Sequence, residues 1–249
     1  MIAGLLTLVA GALLFVWPFA GHAGPGYAPA LALTIGALLA VAAVETGARR
    51  LDTRSLALLA SIAALDSVVR AAFPIGFGGF SPFFFLVLCA GYALGPSLGF
   101  VAGALAMLSS DLALGALGPW VPYQLLAAGW TGALAGVAGL LLRRPSAAPR
   151  RRDLLALAAV GAATGLLFGA LTDVLDWTTY YRGAAFGWQP GLTPLQAAHR
   201  FGEFYLATSL AYDSLRSIGN VVLVLALGAP VLAALLRFRA RLEFRVVAQ

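Results

Sequence analysis

The sequence predicts an all-α polytopic membrane protein, and three observations carry that prediction: an apolar composition, a series of span-length apolar runs, and the placement of arginine between them. Of 249 residues, 61% are hydrophobic and only 10% are charged, where a soluble domain carries about a quarter charged residues. Mean hydropathy is +0.91. The net charge is +6 and every basic residue is arginine. A pI of 10.1 would suit a nucleic-acid partner. The arginines, however, cluster between apolar segments instead of forming one basic face, so no nucleic acid is expected. The single cysteine, Cys89, lies inside an apolar run. It offers neither a disulfide framework nor a Cys-based metal site, and reads as a small buried hydrophobe.

A hydrocarbon core about 30 Å thick needs about 20 apolar residues per helix. Eight segments approach that length: residues 2–20, 29–46, 55–73, 82–96, 97–117, 121–142, 153–175 and 215–237. The first lacks a positively charged n-region and is followed at once by a second apolar run, so it reads as a retained helix and not as a signal peptide. Arg49, Arg50 and Arg54 follow the second span. Arg143, Arg144, Arg150, Arg151 and Arg152 follow the sixth, and Arg237, Arg239, Arg241 and Arg245 the eighth. Counting spans puts all three clusters on the side of the N-terminus, which the positive-inside rule makes cytoplasmic. The opposite connections, 21–28, 74–81, 118–120 and 176–214, carry only Arg182 and Arg200. The chain is thus expected in the plasma membrane with both termini cytoplasmic.

No Walker A sequence is present, so ATP hydrolysis by that route is excluded. The stretch Arg143–Arg152 reads as a cytoplasmic connection. The long external loop 176–214 holds Trp177, Tyr180, Tyr181, Phe186, Trp188, Phe201, Phe204, Tyr205 and Tyr212, and a loop of that length is more often functional than decorative. Between the fifth and sixth spans, Gly118-Pro119 is expected to break one helix and Pro122 to start the next within its first turn. That corner would set Trp120, Tyr123 and Gln124 at the mouth of an outward-facing pocket.

Small residues recur every four positions at Gly95, Gly99 and Gly103, at Gly132 and Gly136, and at Gly161, Gly165 and Gly169. In lipid such stripes let helix backbones approach closely. Acids share these faces. Thr172, Asp173 and Asp176 project within about 60° of Gly169 at 100° per residue, and Ser110 and Asp111 fall near the Gly103 stripe. They either point into a polar interior, as membrane-embedded acids do by default, or are hydrated at the external helix ends. On the third span, Asp66 and Arg70 form an i,i+4 acid–base pair. Ala57, Ala60 and Ala64 make a smooth stripe about 140° away. The last span opens with Asp213, Arg216 and Asn220 on one face, and a buried amide at Asn220 implies a partner.

An enzyme reading finds little to stand on. His22 and His199 lie in separate external loops without a second ligand at metal spacing, and no Gly-x-Ser-x-Gly elbow occurs. What remains is a membrane enzyme acting on a lipid or isoprenoid through Asp111, Asp173 and Asp176 with a metal. A binding or transport role fits better, because aromatics, amides and a few charges gather at the external ends of an apolar bundle.

The run from Phe77 through Leu105, and that from Gly118 through Gly132, resemble the substrate-binding S components of energy-coupling factor (ECF) transporters. Gly95-Pro96, Gly99-Phe100, Ser110, Gly118-Pro119-Trp120, Pro122, Gln124, Gly129-Trp130 and Gly132 carry the resemblance. It covers roughly residues 55–237 as six helices, and the division it implies is a 49–249 S-component core preceded by an accessory two-helix hairpin, 1–48. The hairpin departs from the family's six-helix core, but an even addition preserves the topology. The resemblance implies a vitamin or related micronutrient bound near the external face, a transmembrane T component as docking partner, and two cytoplasmic ATPase subunits that hydrolyse ATP; no cofactor or metal is implied for this chain. Family members dock through an Ala-x-x-x-Ala pattern in the first core helix, a place taken here by Ala60 and Ala64. The motifs look most like cobalamin-linked members, with riboflavin, a thiamine precursor or a deazapurine as alternatives. The candidate ligand contacts are Arg70, Phe80, Asp111, Trp120, Tyr123, Gln124, Asp173, Trp177, Tyr181, Arg216 and Asn220.

Overall fold

A computed structural model describes residues 2–20, 26–47, 52–73, 78–142 and 148–243. His22, Arg49, Arg50, Phe77, Arg143, Arg144 and Arg245 lie outside the described residues. Within them the chain forms nine α-helices: α1 (Ile2–Gly11), α2 (Tyr27–Gly47), α3 (Thr53–Ala72), α4 (Phe83–Leu94), α5 (Pro96–Leu114), α6 (Val121–Leu142), α7 (Arg151–Thr179), α8 (Pro194–Thr208) and α9 (Leu210–Glu243). A π-helical turn, Ala12–Val16, and a 3-10 turn, Trp17–Ala20, prolong α1. Six helices, α2, α3, α5, α6, α7 and α9, are long and apolar enough to cross a bilayer, which makes this a multi-pass membrane protein. The expected count of eight spans rests for its other two on shorter apolar helices, Gly4–Ala20 and Phe83–Leu94. The outward surface is apolar, with Leu39, Leu65, Val68 and Leu141 all more than half exposed, as contact with lipid demands.

The centre of the bundle is a glycine contact between α4, α5 and α6. A methyl group at Gly91 or Gly99 would collide with the Gly132 carbonyl, and one at Gly132 with the Gly99 carbonyl. Those backbones therefore touch, and Val87, Leu88, Phe100 and Leu125 close the surrounding core with almost no exposed surface. The α7 stripe works differently, because it meets the polar face of α9. Gly161, Gly165 and Gly169 lie against Asn220, Ser217 and Asp213, and the helix carbonyls left bare between them accept hydrogen bonds. The Asn220 amide donates to Gly161 O at 2.9 Å, Arg216 Nη1 to Gly165 O at 3.2 Å, and Ser217 Oγ to Ala162 O at 2.8 Å. Satisfying α9's polar groups on a neighbouring backbone removes most of their cost in lipid.

α3 packs on α5 and α4, while α1 and α2 pack on each other and on α5 and α6. Asp52 caps α3 by accepting the Ser55 N–H at 2.8 Å, and that bond holds its carboxyl below the usual carboxylate range. The arginine-rich ends meet one another. Arg239 donates to Ala93 O at the end of α4, and Arg152 to Leu142 O at the end of α6. There Asp153 is well served, accepting from the Tyr92 hydroxyl and the Arg150 N–H, both at 2.7 Å.

Three local expectations change. The 176–214 stretch is not one loop: α7 runs to Thr179, α9 starts at Leu210, and α8 lies between. Thr193 and Gln196 close a capping box over α8, with Pro194 in its first turn, and Ala197, Phe201 and Phe204 supply an apolar face at helical spacing. α5 stops before Gly118-Pro119, because Gly115 takes a left-handed conformation (φ 64°) that ends the helix. The anticipated Asp66–Arg70 pair does not form. Arg70 reaches α5 instead, and Asp66 is fully buried with both oxygens unpartnered among the described residues.

Candidate functional site

The end of the bundle opposite the arginine clusters contains a cavity of about 170 Å³. Its wall comes from the last turn of α3 (Arg70, Phe73), the segment before α4 (Gly79, Ser81), the start of α4 (Phe83, Phe84), and from Met107 of α5, Gln124 of α6, Phe168 of α7, and Tyr212 and Arg216 of α9. The shortness of the fourth apolar helix leaves the space. With 12 residues, α4 is about 18 Å long and falls short of a hydrocarbon core of about 30 Å. The chain before it continues as non-helical backbone against α9, where Gly79 meets the Tyr212 carbonyl and the Phe80 ring covers Gly219. Gly79 has φ 108°, and a side chain there would also overlap the Tyr212 backbone, so only glycine serves. Non-helical backbone at membrane depth persists only where it is buried in protein or lines a cavity. This segment does both.

Two arginines dominate the wall. Arg70 Nη1 donates to Asp111 Oδ1 and to Ser110 Oγ, each at 2.6 Å, and touches Met107 Sδ at 3.2 Å. These three acceptors on neighbouring turns of α5 outcompete the single carboxylate that Asp66 offers along α3. Arg216 pairs with Asp213 one turn earlier on α9. Its guanidinium lies 5.2 Å from the Phe168 ring centre, 5.3 Å from that of Tyr212 and 5.9 Å from that of Phe84. Rings around a cation compensate part of its lost hydration. Both ion pairs are incomplete, since Asp111 Oδ2 and Asp213 Oδ2 are buried without a hydrogen-bond partner among the described residues. Gln124 Oε1 is likewise buried and unpartnered.

Of the residues singled out from sequence, Arg70, Gln124 and Arg216 line the cavity, and Asp111 stands behind Arg70. Phe80 seals its edge, ring to ring with Phe73 at 6.2 Å. The others lie elsewhere. Asn220 donates its amide to Gly161 O on α7, and its Oδ1 is buried without a partner among the described residues. Tyr123 is buried against Phe15, with ring centres 5.4 Å apart. Trp120 covers Gly118 and donates back to Ala116 O. Trp177 and Tyr181 belong to an aromatic cap with Trp188 and Phe204. Asp173 and Asp176 sit half-buried on α7, outside the cavity wall. Asp111, committed to Arg70, does not join them, and no group of three or more His, Cys, Asp or Glu able to hold a metal exists among the described residues.

Sequence reasoning passed over most of the apolar wall, Phe73, Phe83, Phe84, Met107 and Phe168, and named Tyr212 only among the aromatics of the 176–214 stretch. Their periodicity is that of ordinary core. Two of them had a local signal, as Phe168 and Tyr212 are the immediate neighbours of Gly169 and Asp213. Ala60 and Ala64 are exposed on the outer face of α3, with Leu65 and Val68 beside them. Comparison of the chain with protein-family models, with curated proteins and with solved structures found no match.

Proposed function

We propose that this chain is the substrate-binding membrane subunit of an ECF-type importer, with the cavity between Arg70 and Arg216 as the site that captures a small organic micronutrient from outside the cell. The observation that carries the reading is the cavity itself. It is polar at two points, walled by aromatics, built beside a short apolar helix, and placed at the end away from the arginine clusters. The positive-inside rule makes that the external end and puts both termini in the cytoplasm of a plasma-membrane protein. Aromatic rings stack on a flat ligand, and the arginines and Gln124 orient it. A T component and two ATPase subunits then drive delivery, with the exposed Ala60–Ala64 face of α3 as the docking surface.

The volume bears on the ligand. Pockets for drug-sized molecules run from about 300 Å³ upward, so a cavity of about 170 Å³ favours a small heterocycle over riboflavin and, most strongly, over cobalamin. Native mass spectrometry of the purified protein with a vitamin panel that includes cobalamin, riboflavin, a thiamine precursor and a deazapurine tests the proposal. One small heterocycle retained at micromolar affinity is the expected result. Retention of none of them sinks the importer reading, and retained cobalamin, visible as a red protein, sinks the volume argument.

A further inference from the structure

Resting on that reading of the cavity, we infer that its ligand carries a negative charge: the geometry points to a small, flat organic carboxylate held between Arg70 and Arg216.

Every charged side chain that lines the cavity among the described residues is an arginine. The countercharges, Asp111 and Asp213, are buried and absent from the wall. Each ion pair is thus oriented with its guanidinium toward the empty space and its carboxylate behind. Neutralised overall, the site still presents two positive ends to whatever enters.

The hydrogen bonds leave those ends free to act. Arg70 engages Asp111, Ser110 and Met107 through Nη1 alone, and Arg216 engages Asp213 and Gly165 through Nη1 alone. A guanidinium that existed only to neutralise its acid would be expected in the two-pronged geometry that arginine and carboxylate favour. Here the contact is one-pronged on both sides, as Asp111 Oδ2 and Asp213 Oδ2 are left without partners. The remaining N–H edge of each arginine matches a second carboxylate, which is the geometry in which arginine differs from lysine.

The surroundings set the rest of the ligand. Phe84, Phe168 and Tyr212 pack around Arg216 and, with Phe73 and Phe83, leave the rest of the wall apolar, which suits a planar ring. Gln124 Oε1, buried and unpartnered on the α6 side, lacks a donor that a ring N–H or hydroxyl would supply.

The test uses the full chain in lipid nanodiscs and isothermal titration calorimetry with two matched pairs, benzoate against benzamide and nicotinate against nicotinamide. Each pair keeps size and flatness and changes only the charge. A charge-assisted contact should make at least one carboxylate bind about tenfold to a hundredfold tighter than its amide. The paired variants R70M/D111L and R216M/D213L remove each arginine together with its acid, so no buried charge is stranded, and each should erase that preference. Equal or tighter binding of both amides overturns the inference, as does no binding by any of the four at millimolar concentration. Failure here is separable from failure of the importer reading. A neutral vitamin retained in native mass spectrometry without carboxylate preference overturns the anionic ligand and leaves the importer. Carboxylate preference in a protein that retains no micronutrient supports the site and sinks the importer.

Discussion

Two regions at the same end of the molecule look alike in sequence and behave as opposites in the fold. The aromatic cap gathers Trp177, Trp188, Phe201 and Phe204 from α7, α8 and the segment between them, and Trp17 and Phe19 from the turn after α1. The cavity gathers Phe73, Phe84, Phe168 and Tyr212 around two arginines. In the cap every tryptophan from the α7–α8 region is satisfied: Trp177 donates to Phe186 O at 2.8 Å and Trp188 to Pro18 O at 3.3 Å. Ring contacts such as Phe19–Trp177 at 6.0 Å and Trp17–Trp188 at 5.8 Å tie the N-terminal segment to it. The cavity leaves polar atoms of Gln124, Asp111 and Asp213 without partners. The cap also holds a buried group unpartnered among the described residues, Trp17 Nε1, but rings pack around it, whereas unpartnered groups beside an open space keep capacity for a guest. Aromatic density therefore did not distinguish the cap from the cavity; what sets the cavity apart is that its unpartnered groups stand with two arginines around an open space, whereas that of the cap belongs to a packed ring cluster.

The comparison can be broken most severely at Trp177. It has no exposed surface, and W177A should cost about 3–5 kcal/mol of stability, read as a lowered midpoint in thermal unfolding in nanodiscs. The folded fraction should keep its ligand affinity. An affinity lost at unchanged midpoint would move Trp177 from scaffold to site.

A smaller effect separates the ion pair from its surroundings. Asp111 is fully buried beside a partly exposed Arg70, so D111L strands a guanidinium and should cost about 3 kcal/mol. Removing Arg70 as well should return most of that stability, because the pair is replaced by apolar groups of similar bulk. A double variant as unstable as the single one would show that the pair holds the helices together and is not merely balanced.

The least expected effect on stability lies on the outer face of α3. A60W and A64W project toward lipid and should shift stability by no more than about 0.5 kcal/mol, with ligand retention intact. Co-purification with a T component should be lost, because bulky rings prevent close helix approach. Undiminished assembly would place docking on another face.

Particular residues show how far the sequence could be read. The long spans were legible because hydropathy is summed along one segment and needs no partner. The exposed Ala60–Ala64 face followed from helical periodicity for the same reason. α8 was legible too, in its Thr193–Gln196 capping box and the spacing of Ala197, Phe201 and Phe204, but the aromatic density of the stretch drew a loop reading. The Arg70 partner was not legible. An i,i+4 acid is visible in sequence, while three acceptors on α5 at residues 107, 110 and 111 come within reach only after α3 and α5 pack. Trp120 and Tyr123 sit beside Gln124 in sequence, yet on a helix neighbouring residues diverge by about 100°, so Gln124 faces the cavity, Tyr123 the first helical segment and Trp120 its own turn.

By itself the sequence determined the class of the protein, the placement of its long spans, the side on which arginine collects, and which residues are too polar for lipid. Those are properties of composition and period, and each is complete within one helix. The tertiary structure alone decided which polar group met which. The glycines of α7 bared carbonyls that took the donors of Asn220 and Ser217, whereas the short α4 left a space that no described residue fills. Pairing depends on contacts between helices distant in sequence, and that is where a polar side chain buried in packing came to differ from one that faces a cavity.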